Sequence, residues 1–211
     1  MTTTPTLRVN ELFCSPQGEG RRAGTSNIFI RLSGCNLQCS KDGEAGFDCD
    51  TEFTSGNHYS ISLLEAFIER VLDKDKSANP KYIIWTGGEP LLQLSKSIDI
   101  LEQFKERGYR QAVETNGTVE KGPFDFDWIS CSPKTAEHTL KLKFANELRY
   151  VRSIGQGIPK PTIKADHYMI SPAFESDGTA HPATVQYCIQ MIKENPEWQL
   201  SVQMHKLWRV Q

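Results

Sequence analysis

The feature that most constrains the fold is a repeated order of short apolar runs, each of which ends on a polar or glycine-rich motif. Runs rich in β-branched, aromatic and aliphatic residues predict strands, and they lie at residues 7–14, 27–32, 82–85, 111–113, 128–131, 148–151, 167–170 and 200–204. Apolar residues at helical spacing lie between several of these runs. They predict a helix that begins at Ser62 with Glu65 in a capping box, one across 94–107 that Gly108 ends, and one over 184–193.

Alternating strands and helices of this kind predict an α/β fold with a parallel sheet. A complete eight-stranded β/α barrel takes about 250 residues, whereas this chain has 211 residues and few helices. We therefore predict an incomplete parallel β/α barrel of about six strands with reduced helices, in one domain over 1–211. The loops at the carboxyl ends of such strands form the active site. Because the polar motifs lie at those ends, we expect a single site.

Composition excludes several functional classes. Apolar residues make up 38% of the chain and the net charge is −2, with no basic stripe, so nucleic acid is not an expected partner. No apolar run approaches the ~20 residues of a membrane helix, and the N-terminal MTTTPTLRVNE lacks the pattern of a signal peptide. We expect a cytoplasmic protein with reduced thiols.

Three of the six cysteines, Cys35, Cys39 and Cys49, lie in one polar loop directly after a predicted strand. Thiolates select zinc or iron–sulfur clusters, and spacing alone does not decide between the two. A closed zinc site needs a fourth ligand, for which His58 and Cys131 are the candidates. A four-iron cluster on three cysteines instead keeps one iron open for a substrate or cofactor.

Two polar features suggest ligand contacts, each beside a plainer alternative. In segment 15–20, Gly18 permits close backbone approach, and Gln17 and Glu19 are suited to accept hydrogen bonds from a purine- or pterin-like ring; the alternative is a solvated turn. Arg31 lies inside an apolar strand, and a buried arginine needs a paired anion. That anion is either a substrate carboxylate or an internal Asp or Glu.

An ordered set of motifs carries a resemblance to a known family. Cysteines 35, 39 and 49 are accompanied by PQGEG at 16–20, CDTEF at 49–53, TGGEP at 86–90, ETNG at 114–117 and QMHK at 203–206. The set resembles the radical S-adenosylmethionine superfamily and, within it, the 7-carboxy-7-deazaguanine synthase family, also called QueE. The loop between Cys39 and Cys49 is longer than is usual in that family, and Asp48 stands where the family favours an aromatic residue.

The resemblance implies a [4Fe-4S] cluster on Cys35, Cys39 and Cys49 in a cluster loop over 35–56. It implies S-adenosylmethionine as the second cofactor, which would be bound by Asp48, Gly87, Gly88, Glu89, Ser132, Pro133, Lys134 and Ser171. Thr51 would hold Mg²⁺, an ion that prefers oxygen ligands.

The resemblance also implies the reaction and its residues. A 5′-deoxyadenosyl radical would abstract hydrogen from 6-carboxy-5,6,7,8-tetrahydropterin, and ring contraction with loss of ammonia would give 7-carboxy-7-deazaguanine, a precursor in queuosine biosynthesis. The predicted catalytic residues are Glu114, His205 and Lys206, and the predicted substrate ligands are Pro16, Gln17, Gly18, Glu19, Arg31, Thr86 and Gln211. The C-terminal strand and tail, 198–211, would complete this pocket.

Partners follow from the same resemblance: an electron donor such as flavodoxin or ferredoxin, and a second copy of the chain in a homodimer. Two other functions are compatible with the cysteine loop. One is a radical enzyme that generates a glycyl radical on a partner protein, and the other is a zinc-stabilised binding module. Analysis for iron and zinc distinguishes the zinc-stabilised module from the two radical enzymes.

Overall fold

Nine strands form one sheet in the computed structural model, which describes residues 5–49, 51–74, 80, 82–175 and 178–210. The strands are β1 Thr6–Pro16, β2 Ser26–Leu32, β3 Asn57–Ser60, β4 Ile83–Gly87, β5 Gln111–Thr115, β6 Trp128–Cys131, β7 Phe144–Arg152, β8 Lys164–Pro172 and β9 Trp198–Leu200. Their order is β3-β1-β2-β4-β5-β6-β7-β8-β9. All pairs from β2 to β9 are parallel, whereas β1 is antiparallel to both β2 and β3.

Helices are few and mostly short. They are α1 Ile61–Lys74, α2 Leu91–Leu94, α3 Ile98–Glu106, α4 Pro182–Glu194 and α5 Met204–Trp208, with 3₁₀ turns at Gly20–Arg22 and Glu137–Thr139. None of the helices in the described part of the chain is both long and apolar enough to cross a bilayer. The fold is thus α/β with a mostly parallel sheet and reduced helices, as the alternation of strands and helices predicts.

The period-two alternation of the strands divides the sheet into two faces. On β2, Ile28, Ile30 and Leu32 are fully buried in the core that also contains apolar residues of α1, α3 and α4. We call this the helix face. Phe29 and Arg31 point to the opposite face.

That opposite face, here called the site face, carries polar side chains in register. Glu114 of β5 pairs with Ser130 of β6, and Ser130 pairs with Glu147 of β7. Paired residues of parallel strands share a face, and Arg149 lies two residues after Glu147, so it joins them. The helix face therefore holds the apolar core, and the site face collects the charged groups.

Several boundaries differ from the sequence prediction. There are nine strands, whereas the predicted barrel has about six. Eight of the nine overlap the runs named from the sequence, and β3, which covers the outer edge of β1, is additional. The strand expected at 200–204 ends at Leu200, and α5 follows. The predicted start of α1 at Ser62 is wrong by one residue: the helix begins at Ile61, and the Ser60 hydroxyl accepts from the Leu63 N–H at 3.4 Å. The helix predicted across 94–107 is two helices, α2 and α3.

Segments from the two ends of the chain meet beside the sheet. The Met204 N–H donates to the Gly18 carbonyl at 2.8 Å, and the Gly20 N–H donates to Ser201 Oγ at 3.0 Å. These bonds join the loop after β1 to the segment after β9, and they hold both against the carboxyl ends of the strands between them.

The helix face supplies a test of the core. Leu101 on α3 is fully buried, whereas Leu63 on α1 is 55% exposed. We expect Leu101→Ala to lower the free energy of unfolding by about 2–5 kcal/mol, through lost burial and a residual cavity. The matched control Leu63→Ala should lower it by less than about 1 kcal/mol. Urea denaturation at constant m value measures both, and equal losses would contradict the assignment of the core.

Candidate active site

A cavity of about 820 Å³ lies at the carboxyl ends of the parallel strands. Its wall includes most of the residues that the sequence singles out: Pro16, Gln17, Gly18, Glu19, Arg31, Cys35, Cys39, Cys49, Thr51, Thr86, Gly87, Gly88, Glu114, Ser132, Lys134, His205 and Lys206. The expectation of one site at this edge of the sheet therefore agrees with the geometry.

The three cysteines of the loop reach the same cavity. Cys35, Cys39 and Cys49 all line it, and all three are free thiols. Burial raises the pKa of the Cys35 thiol, and it also raises that of Cys39, so binding of a metal centre there would release protons.

Neither candidate fourth ligand lies at this wall. His58 is exposed on β3, with its Nδ1 3.3 Å from Thr6 Oγ1. Cys131 is buried in the core beneath Gly117. Among the described residues, no three His, Cys, Asp or Glu side chains are grouped closely enough to hold a single metal ion. A four-iron cluster separates its ligating sulfurs more widely than one ion does, and the cysteine loop offers three of them.

The glycines after β4 bring that strand against the cluster loop. A side chain at Gly87, whose φ is +130°, would collide with the backbone of Leu32, and one at Gly88 would collide with Gly34 and Cys35. The Gly88 N–H donates to the Leu32 carbonyl at 3.3 Å, and the Glu89 N–H donates to the Gly34 carbonyl at 2.9 Å. These two N–H groups therefore bind β2 and the cluster loop rather than facing a ligand.

Glu89 lies behind the cavity wall. Its side chain is 1% exposed and accepts from the Asn116 N–H at 2.7 Å, the Leu91 N–H at 3.0 Å and the Thr115 hydroxyl at 2.9 Å. Burial raises the pKa of Glu89 to about 7, against the lowering effect of these bonds. Glu89 was predicted to bind the cofactor, but in this arrangement its carboxylate instead fixes the loop after β5.

Arg31 faces the cavity and has an internal partner. Its Nε lies 3.2 Å from Glu11 Oε2, and the two side chains are 24% and 36% exposed. The guanidinium also lies over the Phe13 ring, 5.7 Å from its centroid. The sequence left either a substrate carboxylate or an internal Asp or Glu as the anion beside Arg31, and the internal Glu11 is the one present. Because both side chains are partly exposed, a ligand carboxylate could replace Glu11.

Arg149 is the centre of a buried ion cluster on the site face. Its Nη1 lies 2.9 Å from Glu19 Oε2 and 3.6 Å from Glu147 Oε1, and its Nη2 lies 2.5 Å from Glu114 Oε2. Burial raises the pKa of Glu19, but Arg149 and a hydrogen bond from Gln203 together hold it below its ordinary value. For Glu114, burial raises the pKa above its ordinary value in spite of Arg149.

The loop after β1 and the C-terminal segment form the wall next to this cluster. Gln17 Nε2 donates to Glu114 Oε1 at 3.0 Å, and Gln17 Oε1 accepts from the Glu19 N–H at 3.2 Å. A side chain at Gly18 would collide with the His205 imidazole. Lys206 lies beside them, with Nζ 4.9 Å from the centroid of the Phe174 ring.

On the opposite wall, Lys134 Nζ lies 4.6 Å from the centroid of the Phe47 ring and donates to Ser132 Oγ at 3.0 Å. Phe47 lines the cavity. Asp48, predicted to face the cofactor, instead accepts from the Lys41 N–H at 2.9 Å and is absent from the wall. The ring next to the last cysteine is therefore supplied one residue earlier than the family pattern suggests.

Three further predicted residues lie elsewhere. Pro133 lines an adjoining cavity of about 390 Å³, and Ser171, buried near the end of β8, is not among the residues that line the main cavity. Gln211 lies outside the described residues.

Sequence reasoning also missed Arg149, although the signal was the one that identified Arg31: a charged residue within an otherwise apolar strand.

Comparisons with known proteins agree with this site. A family model described as a 4Fe-4S single cluster domain matches residues 16–122. The chain is similar to the 7-carboxy-7-deazaguanine synthase of Haemophilus influenzae, at 36% identity over 96% of this chain and 93% of the relative. It is also similar to that of Bordetella pertussis, at 33% identity over 94% and 96%.

The crystal structure of QueE from Escherichia coli has the same fold, with a TM-score of 0.67 and 23% identity over 95% of both chains. The resemblance predicted from the motifs is thereby confirmed. By its similarity to these relatives over nearly its whole length, the chain belongs to the 7-carboxy-7-deazaguanine synthase family.

Proposed function

We propose that this protein is a radical S-adenosylmethionine enzyme that converts 6-carboxy-5,6,7,8-tetrahydropterin to 7-carboxy-7-deazaguanine with loss of ammonia. The observation that carries the proposal is the meeting, in one cavity, of three loop cysteines, the glycines after β4 and a polar cluster around Gln17, Glu19 and Glu114. The membership of the family agrees with it.

The sheet is proposed to be an incomplete barrel. Seven strand-to-strand steps separate β1 from β9, and at about 4.8 Å each they would span roughly 34 Å in a flat sheet. Yet Gly20, four residues after β1, donates to Ser201, one residue after β9. Five extended residues reach at most about 18 Å, so this contact supports a sheet that curves round the site face.

The cysteine wall fits a four-iron cluster with one open iron. Cys35, Cys39 and Cys49 would be its ligands, since they reach one cavity and no fourth thiol is seen beside them among the described residues. When bound, the cluster supplies the electron that cleaves S-adenosylmethionine to methionine and a 5′-deoxyadenosyl radical. The chain would hold that cofactor against Gly87, Gly88, Ser132 and Lys134, with Phe47 as the adjoining ring.

The polar wall would bind and orient the substrate. Glu19 and Glu114 offer carboxylate oxygens, and Gln17 and the backbone of 16–18 offer amide groups, to the N–H donors of a pterin edge. Arg31 would pair with the substrate carboxylate in place of Glu11. His205 and Lys206 would handle protons or balance charge from the C-terminal segment, and Thr86 would contact the ring from β4.

Further components are proposed from the family resemblance. Thr51 lines the cavity two residues after Cys49, and its oxygen atoms suit Mg²⁺. A flavodoxin or ferredoxin would be the reductant, and the enzyme would act in the cytoplasm as a homodimer.

The proposed function is tested by anaerobic incubation with S-adenosylmethionine, a reductant and the carboxypterin. We expect 7-carboxy-7-deazaguanine by mass spectrometry, because one cavity holds both the cluster wall and the pterin wall. The product and ammonia together contain all the atoms of the substrate, so the abstracted hydrogen returns and S-adenosylmethionine is required without being consumed in proportion to product. Omission of each component is the control. A protein that contains zinc and no iron, or that cleaves the cofactor only with a partner protein, would contradict the proposal.

The cluster assignment predicts a selective loss of iron. We expect Cys49→Ala to lose the four-iron cluster, because two thiolates and solvent would replace a three-sulfur site. Cys14→Ala is the matched control, since Cys14 lies on β1 away from the cavity wall, and should retain it. Iron and sulfide analysis with visible absorbance measures both. An intact cluster in Cys49→Ala would refute the ligand set.

The role of Arg31 predicts a defect confined to the substrate. We expect Arg31→Ala to raise the KM for the carboxypterin by roughly 10- to 100-fold, the effect of a lost hydrogen bond between charged groups. The affinity for S-adenosylmethionine should stay unchanged. Arg21→Ala, on the exposed side of the loop after β1, is the control and should keep both values. An unchanged KM in Arg31→Ala would remove Arg31 from the substrate site.

A further inference from the structure

A single guanidinium contacts both carboxylates that face the substrate end of the cavity. Glu19 belongs to the loop after β1 and Glu114 to β5, and Arg149 of β7 lies within hydrogen-bond distance of each. The Arg149 side chain is only 6% exposed, whereas those of Glu19 and Glu114 are 21% and 16% exposed. Arg149 also lines the cavity, but it presents less surface there than the two carboxylates do.

We propose that Arg149 is the positioning residue of the substrate subsite, which holds Glu19 and Glu114 side by side and ionised so that they accept the N–H donors of the bound ring. The inference rests on the proposed function and deepens it. Arg149 acts through the two carboxylates, and they are the groups that contact the substrate.

The charge balance around the cluster supports this role. Three carboxylates, Glu19, Glu114 and Glu147, are gathered round two buried guanidiniums, those of Arg149 and Arg22. Lys134 also acts on Glu19. The carboxylate oxygens of Glu19 and Glu114 are acceptors only, so the surface they present to the cavity favours a ligand edge that donates hydrogen bonds over one that accepts them.

Arg22 does not duplicate Arg149. It lies over the Tyr82 and Trp128 rings, 4.6 Å and 5.5 Å from their centroids. Among the described residues, none accepts a hydrogen bond from its guanidinium. Arg22 contributes charge from a distance, whereas Arg149 donates a hydrogen bond from Nη2 to Glu114 and forms an ion pair through Nη1 with Glu19.

Glu147 is the third carboxylate of the cluster, and its hydrogen bonds are made within the protein. Its carboxylate accepts from Ser130 Oγ at 2.9 Å and from the Arg21 N–H at 2.8 Å, so most of its hydrogen-bond capacity is used within the protein. It is 1% exposed and absent from the cavity wall. Glu147 thus balances Arg149 without competing for the substrate.

The decisive variant is Arg149→Met, which keeps length and removes charge. At neutral pH we expect the KM for the carboxypterin to rise by roughly 10- to 100-fold, with the iron content and the affinity for S-adenosylmethionine unchanged and kcat altered by less than about threefold. Without Arg149 the pKa values of both carboxyls rise, so a smaller fraction of each is ionised at a given pH and that fraction increases with pH.

The pH profile separates positioning from a merely structural role. We expect the ratio of the variant KM to the wild-type KM to fall as the pH rises, because the carboxyls of the variant ionise at higher pH than those of the wild type. Titration of the substrate is common to both proteins and cancels in the ratio. Titration of the other groups that face the two carboxylates also cancels in the ratio to first order. These groups are Glu147 and Arg22 at Glu114, and His205 and Lys134 at Glu19.

Two further variants complete the design. Arg149→Lys keeps the charge but lacks the planar fork, so its KM should rise less and its KM ratio should not change with pH. Arg152→Met, on the same strand but with its guanidinium bonded to the Gly157 and Val151 carbonyls, is the matched control and should retain the wild-type KM.

If Arg149→Met does not fold, Glu147→Gln/Arg149→Met restores the original charge balance and should show the same KM and pH effects. The inference is overturned if the variant that folds keeps a wild-type KM, if its KM ratio is independent of pH, or if iron content and cofactor affinity fall together with substrate affinity. A wild-type protein that makes no product contradicts the proposed function instead, so the two failures are distinguishable.

Discussion

The burial of the Arg149 guanidinium among three carboxylates is the interaction on which the site face depends. Removing a charge from water is costly unless the charge is paired, and loss of one partner from a buried pair costs about 3–5 kcal/mol. The partners come from separate places in the chain: the loop after β1, β5 and β7 itself. The cluster therefore requires these elements to meet, and on this side of the sheet it lies beside a small apolar cluster of Ile84, Ala112 and Tyr82.

Close approach of backbones provides the other half of the site. Gly18 permits contact with the C-terminal segment, where the Met204 N–H reaches the Gly18 carbonyl. Gly88 permits contact with the cluster loop, where the Glu89 N–H reaches the Gly34 carbonyl. The cavity wall is thus assembled from segments distant in sequence, and a side chain at either glycine would separate them.

The sequence was most informative where the determinant is local. Strands end on polar motifs because the chain leaves the sheet there, so the order of motifs located the cavity and more than half of its wall. It was least informative where a neighbour decides the outcome. The short β3 forms because β1 presents an open edge, and Glu89 turns away from the cavity because the Asn116 N–H, the Thr115 hydroxyl and the Leu91 N–H offer it better partners. Neither the partner strand of β3 nor the hydrogen-bond donors to Glu89 can be inferred from the residue pattern of the segment that contains each of them.

The two arginines of the site face differ in a way that separates their roles. Arg149 is almost wholly covered, and its ion pairs lie where screening is weak, so exchange of a partner would leave a buried charge unpaired. Arg31 pairs with Glu11 at a distance of 3.2 Å where both side chains are partly exposed. Such a pair contributes about 0–1 kcal/mol, so a carboxylate on a ligand can replace Glu11 at little cost. Burial thus makes Arg149 a permanent part of the scaffold, and exposure makes Arg31 available to bind.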